Sequence, residues 1–335
     1  MTRRIESIRL GPGPEFDLIR QFLARDKEAA SRLGDAVQVG PGDDCAVVDG
    51  IALSTDLSIE GIHFRREWLQ PEEIGYRAAA AALSDLAAVA ARPVGILCSL
   101  ACAGDDAVAI APRVMDGLRS AADGVGAMLL GGDLARSPGP LMLDVVAVGR
   151  ADSPILRSGA RPGDALWVTG ELGGSAAAVL AWQRGASPAD AARQAFARPR
   201  PRIREALWLA ERGLVHAMID LSDGLAGDAG HLAAASGVRV VLDAAAIPVH
   251  PAAAHGPERA GLRLGLAGGE DYELCFAAAE GAVEAVADEF RAAFGLSITR
   301  VGGVEEGSGV WIRDAEGRVA PLELHGYQHF GEETV

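Results

Sequence analysis

Apolar and polar positions in the first half of the chain follow patterns typical of both helices and strands. Helical spacing of apolar residues predicts a helix over Glu15–Arg32. The runs Cys45–Val48 and Ile51–Thr55 predict two strands joined by a hairpin turn at Asp49-Gly50. Pro71 begins an alanine-rich helix that we expect to end near Ala91. The other predicted elements of this half are a helix over Ala107–Ala122 and strands over Val94–Ala101, Ala127–Leu130 and Leu141–Val148.

The second half repeats this mixture of helices and strands at similar size. A Pro-, Gly- and Arg-rich stretch over Ser153–Asp164 separates the halves and predicts a boundary between domains 1–152 and 153–335. The fold class that we expect is therefore α/β, in the sense of a mixed α+β chain. Strands are predicted at Ala165–Thr169, His216–Asp220, Val238–Leu242, Tyr272–Phe276, Ile298–Val301 and Val310–Arg313, and helices around Ser175–Trp182, Pro201–Arg212, Asp223–Ala235 and Val283–Ala293.

The charge balance argues against two classes of partner. The chain has 31 basic and 46 acidic residues, a formal net charge of −15, which disfavours binding to nucleic-acid phosphates. Its apolar runs are too short to span a membrane, so we expect a soluble cytoplasmic protein with no membrane partner. Lys27 is the only lysine, and it lies outside any glycine loop. A P-loop is therefore excluded, and Schiff-base chemistry is disfavoured.

Cysteine and histidine spacing does not predict a zinc site. Cys45, Cys98, Cys102 and Cys275 form no CxxC pair, and the seven histidines include no HExxH pair. We interpret the cysteines as buried free thiols in a reducing compartment.

Aspartates beside Gly, Ser or Thr recur at what we predict to be the ends of apolar elements in both halves. Each one alone is typical of a turn, except that Asp85 lies on a largely apolar helix with no basic residue one turn away. Hydroxyls and carboxylates are the hard oxygen ligands that Mg²⁺ and Ca²⁺ prefer. If these carboxylates converge, they need cations to stay ionised together. The segments are Asp43-Asp44, Ser54-Thr55-Asp56, Ser84-Asp85, Gly132-Asp133 and Asp220-x-Ser222-Asp223.

These segments resemble one family, thiamine-monophosphate kinase, in the superfamily that includes aminoimidazole ribonucleotide synthetase and selenophosphate synthetase. The matching segments run in the family's order from residue 13 to residue 330. They are GPEFDLI (13–19), GPGDDCAVV (40–48), LSTDLSIEGIHF (53–64), LSDLAAVAARP (83–93), GGDLAR (131–136), MIDLSDGLAGDAGHL (218–232), GGEDYELCF (268–276) and GYQHF (326–330).

The resemblance implies ATP-dependent phosphorylation of thiamine monophosphate to thiamine diphosphate by direct, Mg²⁺-assisted phosphoryl transfer. It also implies a two-domain fold whose N-terminal domain binds ATP and Mg²⁺, with strands of two subunits forming a shared barrel in a homodimer. Several Mg²⁺ ions are expected among Asp44, Ser54, Thr55, Asp56, Asp85, Asp133, Asp220 and Asp223, ATP at Gly132, Asp133, Arg157 and Ser222, and thiamine monophosphate at His63, Glu270 and Tyr327. Of these residues, Asp133, Asp220 and Arg157 are expected to act in catalysis.

Two departures and four alternatives accompany this interpretation. Ala135 stands where the family usually has Thr or Ser, and Tyr327-Gln328 where Phe-Asp is expected. Aminoimidazole ribonucleotide synthetase shares the fold but lacks support from the STD and EGIHF segments. A selenophosphate synthetase would need a reactive cysteine before Cys45, and hydrogenase-maturation relatives end in a cysteine, whereas this sequence ends GEETV. A sensor of this fold would bind MgATP without turnover.

Overall fold

A computed structural model describes residues 8–11, 13–23, 36–254, 260–324 and 326–327, and within them the chain forms a mixed α/β fold with two β-sheets. The strands are β1 (Val37–Val39), β2 (Ala46–Val48), β3 (Ile51–Ile59), β4 (Arg92–Cys102), β5 (Met128–Arg136), β6 (Met142–Arg150), β7 (Asp164–Thr169), β8 (Val215–Asp220), β9 (Arg239–Asp243), β10 (Leu274–Ala279), β11 (Ile298–Glu305), β12 (Gly309–Arg313) and β13 (Val319–Pro321). The helices are α1 (Pro14–Leu23), α2 (Pro71–Ala88), α3 (Asp106–Ala109), α4 (Ala111–Gly124), α5 (Gly174–Gln183), α6 (Asp190–Ala197), α7 (Ile203–Glu211), α8 (Leu225–Ser236), α9 (Pro251–Ala254), α10 (Ala260–Ala267) and α11 (Ala287–Phe294), with 3₁₀ turns at Ala244–Ala246 and Glu284–Val286.

The first sheet has the strand order β1-β2-β3-β6-β4-β5, in which only β4 and β5 pair in parallel. Its β2–β3 hairpin confirms the predicted turn. Asp49 and Gly50 have φ angles of 49° and 74°, the left-handed pair that a two-residue hairpin of type I′ requires. The tight turn sets the register that carries Ser54 and Asp56 along β3.

Helices α2 and α4 cross closely over one face of this sheet. A Cβ added at Gly75 would lie 1.8 Å from the Val114 carbonyl oxygen, and one at Gly117 would lie 1.8 Å from the Glu72 carbonyl oxygen. Both positions therefore require glycine, because any side chain would meet backbone of the facing helix. The opposite face of the sheet leaves apolar side chains exposed. They are Leu53, Leu57 and Leu97. The edge strand β5 also exposes Met128, Leu130 and Leu134.

The second sheet has the strand order β13-β12-β9-β11-β7-β10-β8 and is buried on both faces at β7. Ala165 and Trp167 of this strand join one core, which continues into the first sheet and its helices. Leu166 and Val168 face a second core that includes Leu225 and Leu232 of α8. The continuous first core joins the two sheets, and the site described below lies at this junction.

Most predicted elements are confirmed within one to three residues, and the differences have physical causes. The predicted strand Ala127–Leu130 extends through two glycines to Arg136, and the predicted helix Ala107–Ala122 is divided into α3 and α4 at Ile110. The short strands β1 and β13 and the helices α6, α9 and α10 were not predicted. The first part of the predicted helix Glu15–Arg32 is α1, and residues 24–32 lie outside the described residues.

The predicted boundary at residue 152 falls between β6 and β7, and it stays a prediction. Among the helices of the described segments, none has the length and apolar character needed to cross a membrane.

Candidate active site

Three carboxylates from distant parts of the sequence converge at the junction of the two sheets. Asp44 precedes β2, Asp85 lies on α2 and Asp220 is the last residue of β8. One oxygen of each lies within 4.8 Å of one oxygen of each of the others. The condition set out in the sequence analysis, that several of the aspartates converge, is thus met by these three. Their mutual repulsion requires positive charge nearby.

Arg157 supplies positive charge to one member of this carboxylate triad. Its Nε and Nη2 donate hydrogen bonds to Asp44 Oδ2 (3.0 Å) and Oδ1 (2.7 Å). The Arg157 backbone N–H also donates to Asp43 Oδ2 at 3.0 Å. Burial lowers the pKa of the guanidinium, but Asp44, Asp43 and Asp220 together raise it above its ordinary value, so Arg157 stays charged. For Asp43, burial and the neighbouring Asp44 raise the pKa to about 7.

A serine hydroxyl serves the second carboxylate. Ser54 Oγ donates a short hydrogen bond to Asp85 Oδ2. Because side chains alternate along β3, Asp56 lies on the same face as Ser54, and its charge acts on Asp85. Thr55 lies on the opposite face, where its hydroxyl donates to Asp144 Oδ1 at 2.6 Å. The structure thus brings Ser54 and Asp56 towards the triad and leaves the Thr55 hydroxyl on the other side of the sheet.

The third carboxylate, Asp220, has an unsatisfied oxygen. Only 2% of the residue is exposed, and Oδ2 has no hydrogen-bond partner among the described residues. Burial, reinforced by the charge of Asp44, raises the pKa of Asp220 to about 8, and burial with the charge of Asp220 raises the pKa of Asp85 well above its ordinary value. A buried, unpartnered carboxylate oxygen facing two further carboxylates fits a hard divalent cation, which would neutralise the triad and satisfy that oxygen.

The loop after Asp220 is fixed by a buried aspartate that the sequence analysis did not select. Asp228 Oδ2 accepts hydrogen bonds from the backbone N–H groups of Asp223 (3.1 Å) and Gly224 (3.0 Å). Gly224 has a φ angle of 102°, which glycine adopts at little cost. Burial, reinforced by Glu15, raises the pKa of Asp223 to about 7. Asp223 is therefore held at the start of α8, beside the triad.

Glu270 lies on a strained loop that packs on this segment. Glu270 and Tyr272 have φ angles of 60° and 52°, unusual for residues other than glycine and typical of functional sites. The Glu270 N–H donates to the Ser222 carbonyl oxygen at 2.7 Å, which places the predicted ATP residue Ser222 next to a predicted substrate residue. The Glu270 carboxylate forms an ion pair with Arg77 of α2. Sequence reasoning missed Arg77, because this pairing joins positions 193 residues apart.

Tyr327 lies at the edge of a cavity of about 730 Å³. Its backbone N–H donates to the Asp223 carbonyl oxygen at 3.0 Å, and about half of its surface is exposed. Glu15, Phe16 and His231 also line the cavity, and the Phe16 and His231 rings are in contact, with centroids 4.4 Å apart. Burial lowers the pKa of His231 to about 4, so this ring is neutral. The cavity therefore combines aromatic surface with the carboxylates of Glu15 and Asp223.

His63 has its tautomer set by the backbone. The Ile59 N–H donates to His63 Nδ1 at 3.0 Å, so Nδ1 is an acceptor and Nε2 carries the proton of the neutral ring. The ring can therefore present an N–H donor to an anionic group.

Gly132 and Asp133 lie apart from the triad within one chain. They are in the middle of the edge strand β5, which is separated from β3 by two strands, about 14 Å across the sheet. Asp56 also lies within a strand, so the expectation that the aspartates occupy the ends of elements is wrong for both Asp56 and Asp133.

At Gly132, with a φ angle of 156°, an added Cβ would lie 1.9 Å from the Cys98 carbonyl oxygen. Only glycine lets β5 pair with β4 here.

Comparison with known proteins matches both halves of the chain. Residues 42–151 match the family model "AIR synthase related protein, N-terminal domain", and residues 161–314 match the corresponding C-terminal domain. Thiamine-monophosphate kinase of Escherichia coli (strain K12) is 37% identical over 94% of this chain and 98% of its own length. The enzyme of Rhodopirellula baltica is 35% identical over 89% and 93%. The chain belongs to the thiamine-monophosphate kinase family.

Membership of the thiamine-monophosphate kinase family makes the chain a phosphotransferase and confirms the resemblance drawn from its motifs. A crystal structure of the kinase from Stenotrophomonas maltophilia superimposes with a TM-score of 0.72 at 33% identity, covering 89% of this chain and 96% of that one. A structure described as AaThiL complexed with AMPPCP and TMP superimposes with a TM-score of 0.78 at 29% identity, covering 96% and 97%. The hydrogenase maturation protein HypE, at 23% identity and a TM-score of 0.69, shares the fold.

Proposed function

We propose that this chain transfers the γ-phosphoryl group of ATP to the phosphate of thiamine monophosphate, giving thiamine diphosphate and ADP. The observation that carries the proposal is the buried triad of Asp44, Asp85 and Asp220 beside Arg157, in a chain of this family. A related structure that holds both AMPPCP and TMP supports the same pair of substrates. Converging carboxylates cannot bind phosphates directly, because both are negatively charged. The cations that the triad requires would bind the phosphates of the substrates.

Mg²⁺ is the cation that we assign to this site. Asp44, Asp85 and Asp220 would hold it, with Ser54, Asp56 and Asp223 adjacent. When bound, Mg²⁺ supplies charge neutralisation for the phosphates of ATP. Thr55, Gly132 and Asp133 remain proposed ligands of Mg²⁺ or ATP on the resemblance alone.

The chain's own residues then position the two phosphates. The acceptor oxygen of thiamine monophosphate is already anionic near neutral pH, so the reaction needs no strong general base. Arg157 can donate to a phosphate oxygen with guanidinium N–H groups other than the two that hold Asp44. His63, with its proton on Nε2, can donate to the phosphate of thiamine monophosphate. Ser222 is proposed to contact ATP from the loop that Glu270 holds.

The cavity beside Tyr327 suits the rings of thiamine. Thiamine carries a positively charged thiazolium ring, and Glu15 and Asp223 bring carboxylates to the cavity wall. Tyr327 can stack on a ring, and Glu270 can accept a hydrogen bond from it. Because Tyr keeps an aromatic face, stacking remains possible despite the change at positions 327–328.

We also propose a homodimer built on the first sheet. Its outer face exposes Leu53, Leu57 and Leu97, and the edge strand β5 exposes three further apolar side chains. An apolar face next to an unpaired edge is typical of sheets that continue into a second subunit. This agrees with the shared barrel that the family resemblance implies.

The proposal also includes a division into domains 1–152 and 153–335 and a cytoplasmic location. The four buried free cysteines agree with a reducing compartment.

Phosphorus NMR of the purified protein with Mg²⁺, ATP and thiamine monophosphate tests the function. We expect thiamine diphosphate and ADP in equal amounts, and neither product after chelation of the metal. ATP consumed only with another acceptor, such as formylglycinamidine ribonucleotide, would assign the chain to a sibling activity. Binding of MgATP without any turnover would make it a sensor.

A further inference from the structure

Ser84 is a polar residue that the established chemistry of the site does not use. It lies on α2 directly before Asp85, none of its surface is exposed, and within the described part of the chain its hydroxyl has no hydrogen bond of good geometry. The preceding residues Ala78–Ala82 of the same helix are also buried, so small apolar side chains satisfy the packing here. A buried hydroxyl without a partner is costly, and such groups commonly mark a ligand or a functional contact.

A second unpartnered atom lies next to it. The Ser84 hydroxyl lies within interaction distance of the Asp220 carboxyl group, yet among the described residues neither that hydroxyl nor Asp220 Oδ2 has a hydrogen bond of good geometry. Donor and acceptor are therefore adjacent but not in good hydrogen-bond geometry. Such contacts in unliganded sites often become well aligned only when the ligand is bound.

The other two triad members show what this pairing would complete. Arg157 donates to Asp44, and Ser54 donates to Asp85. We propose that Ser84 is the positioning residue of the third carboxylate, donating its hydroxyl proton to Asp220 when a divalent cation is bound. Each triad carboxylate then has one donor that fixes its orientation, which leaves its remaining lone pairs for the cation. This rests on the proposed function only in assigning the triad as the cation site.

Metal binding by the full-length protein without nucleotide tests the proposal, with Mn²⁺ as a paramagnetic probe. Ser84→Ala removes only the hydroxyl. Loss of such an indirect contact weakens metal affinity by about 10-fold or more, and we expect that loss with little change in melting temperature. Ser175→Ala is the matched control, because Ser175 is equally buried on α5 and its hydroxyl also lacks a partner. This control should bind Mn²⁺ as the wild type does.

A double-mutant cycle separates positioning from packing. In the Asp220→Asn background, Ser84→Ala should weaken Mn²⁺ binding no further, because the carboxylate that it orients is absent. An equal loss in both backgrounds would mean that Ser84 acts through packing, and would overturn the proposal. If the alanine variant does not fold, Ser84→Cys keeps the size and only a weak donor. Weakened Mn²⁺ affinity in that variant supports the proposal, and wild-type affinity overturns it.

The two proposals fail in different ways. The role of Ser84 would be overturned if Ser84→Ala bound Mn²⁺ as tightly as the wild type. It would also be overturned if the wild type bound no Mn²⁺ at a site that depends on Asp85, as tested with Asp85→Asn. Metal binding that depends on Ser84 in a protein that forms no thiamine diphosphate would leave that role intact and overturn the proposed kinase reaction.

Discussion

Arg157 and Asp44 are joined by two parallel hydrogen bonds, although they are distant in the sequence. Arg157 follows β6, the last strand of the first sheet, and Asp44 precedes β2. The Asp44 side chain is 1% exposed and the Arg157 side chain 17% exposed. The guanidinium is thus the cation next to the triad among the described residues, and it holds the segment between the two sheets against the first sheet.

Arg157→Gln should destabilise the metal-free protein. Breaking a buried ion pair leaves the remaining charge unpaired, and we expect a loss of about 3 kcal/mol in the free energy of unfolding. Mg²⁺ should recover part of this loss, because a second cation can neutralise Asp44. Urea unfolding in chelator and in Mg²⁺ measures both effects. Equal destabilisation in the two conditions would show that Arg157 has no electrostatic link to the metal site.

Asp85→Asn should separate stability from activity. The substitution replaces a buried carboxyl group whose charged form is disfavoured by burial and by Asp220, so we expect the metal-free protein to be as stable as the wild type or more stable. Activity should fall about 100-fold or more, because a lost metal ligand removes several kcal/mol of transition-state stabilisation. Asp164→Asn is the control, since Asp164 is a buried carboxylate paired with His216 away from the triad. Retained activity in Asp85→Asn would contradict the assignment of the triad.

The stability of the metal-free protein should fall as pH rises. Asp220 has a pKa of about 8, and Asp43 and Asp223 each have one of about 7, against an ordinary value of 3.8. Between these values the folded protein binds more protons than the unfolded chain, so deprotonation favours unfolding. Urea unfolding at about pH 5 and about pH 8 checks the sign. Mg²⁺ should flatten the dependence, and stability that rises with pH in chelator would refute this account of the triad.

Tyr327→Ala should raise the KM for thiamine monophosphate about 10-fold, the equivalent of one lost aromatic contact. The KM for ATP should stay unchanged, and Tyr327→Phe should behave like the wild type because stacking needs no hydroxyl.

For Glu270, glutamine is the better probe than alanine, because it can still accept a hydrogen bond from the buried Arg77. Glu270→Gln should also raise the KM for thiamine monophosphate. Steady-state kinetics with each substrate varied decide both cases, and unchanged constants exclude these substrate contacts.

Two glycines of α4 should respond to alanine in opposite ways. Gly117→Ala places a methyl group against the Glu72 carbonyl oxygen of α2 and should cost about 2 kcal/mol of stability. Gly124→Ala meets nothing within 4 Å and should stabilise the protein by roughly 0.5 kcal/mol through helix propensity. Thermal unfolding measures both. Similar melting temperatures for the two variants would show that the α2–α4 crossing can relax.

Local chemistry made much of the fold predictable from the sequence. Asp49-Gly50 predicted its hairpin because few other pairs adopt two successive left-handed conformations. Pro71 marked the start of α2 because proline fits the first turn of a helix. The continuation of β5 through Gly131 and Gly132 was missed because glycines carry no side chains from which alternation can be detected.

The candidate site was predictable in its residue types and less so in its contacts. The aspartates stand out because carboxylates are rare in apolar surroundings. The donors Ser54 and Arg157 were named through the motifs and the family resemblance. Ser84 was named beside Asp85, although not as a partner of Asp220. Arg77 was missed because it meets Glu270 only through the packing of the two sheets. The alternation of β3 places Thr55 opposite Ser54. The predicted strand over Ile51–Thr55 already implied this, but the family resemblance placed both hydroxyls at the metal site.

The fate of the terminal phosphate of ATP tests the central claim most directly. In a single turnover with ATP labelled at the γ-phosphate and with thiamine monophosphate and Mg²⁺, we expect all transferred label in thiamine diphosphate and none in inorganic phosphate. Asp220→Asn should prevent the transfer. Label released as inorganic phosphate would instead show that the chain uses ATP to activate an oxygen that is later displaced, and would contradict the kinase assignment.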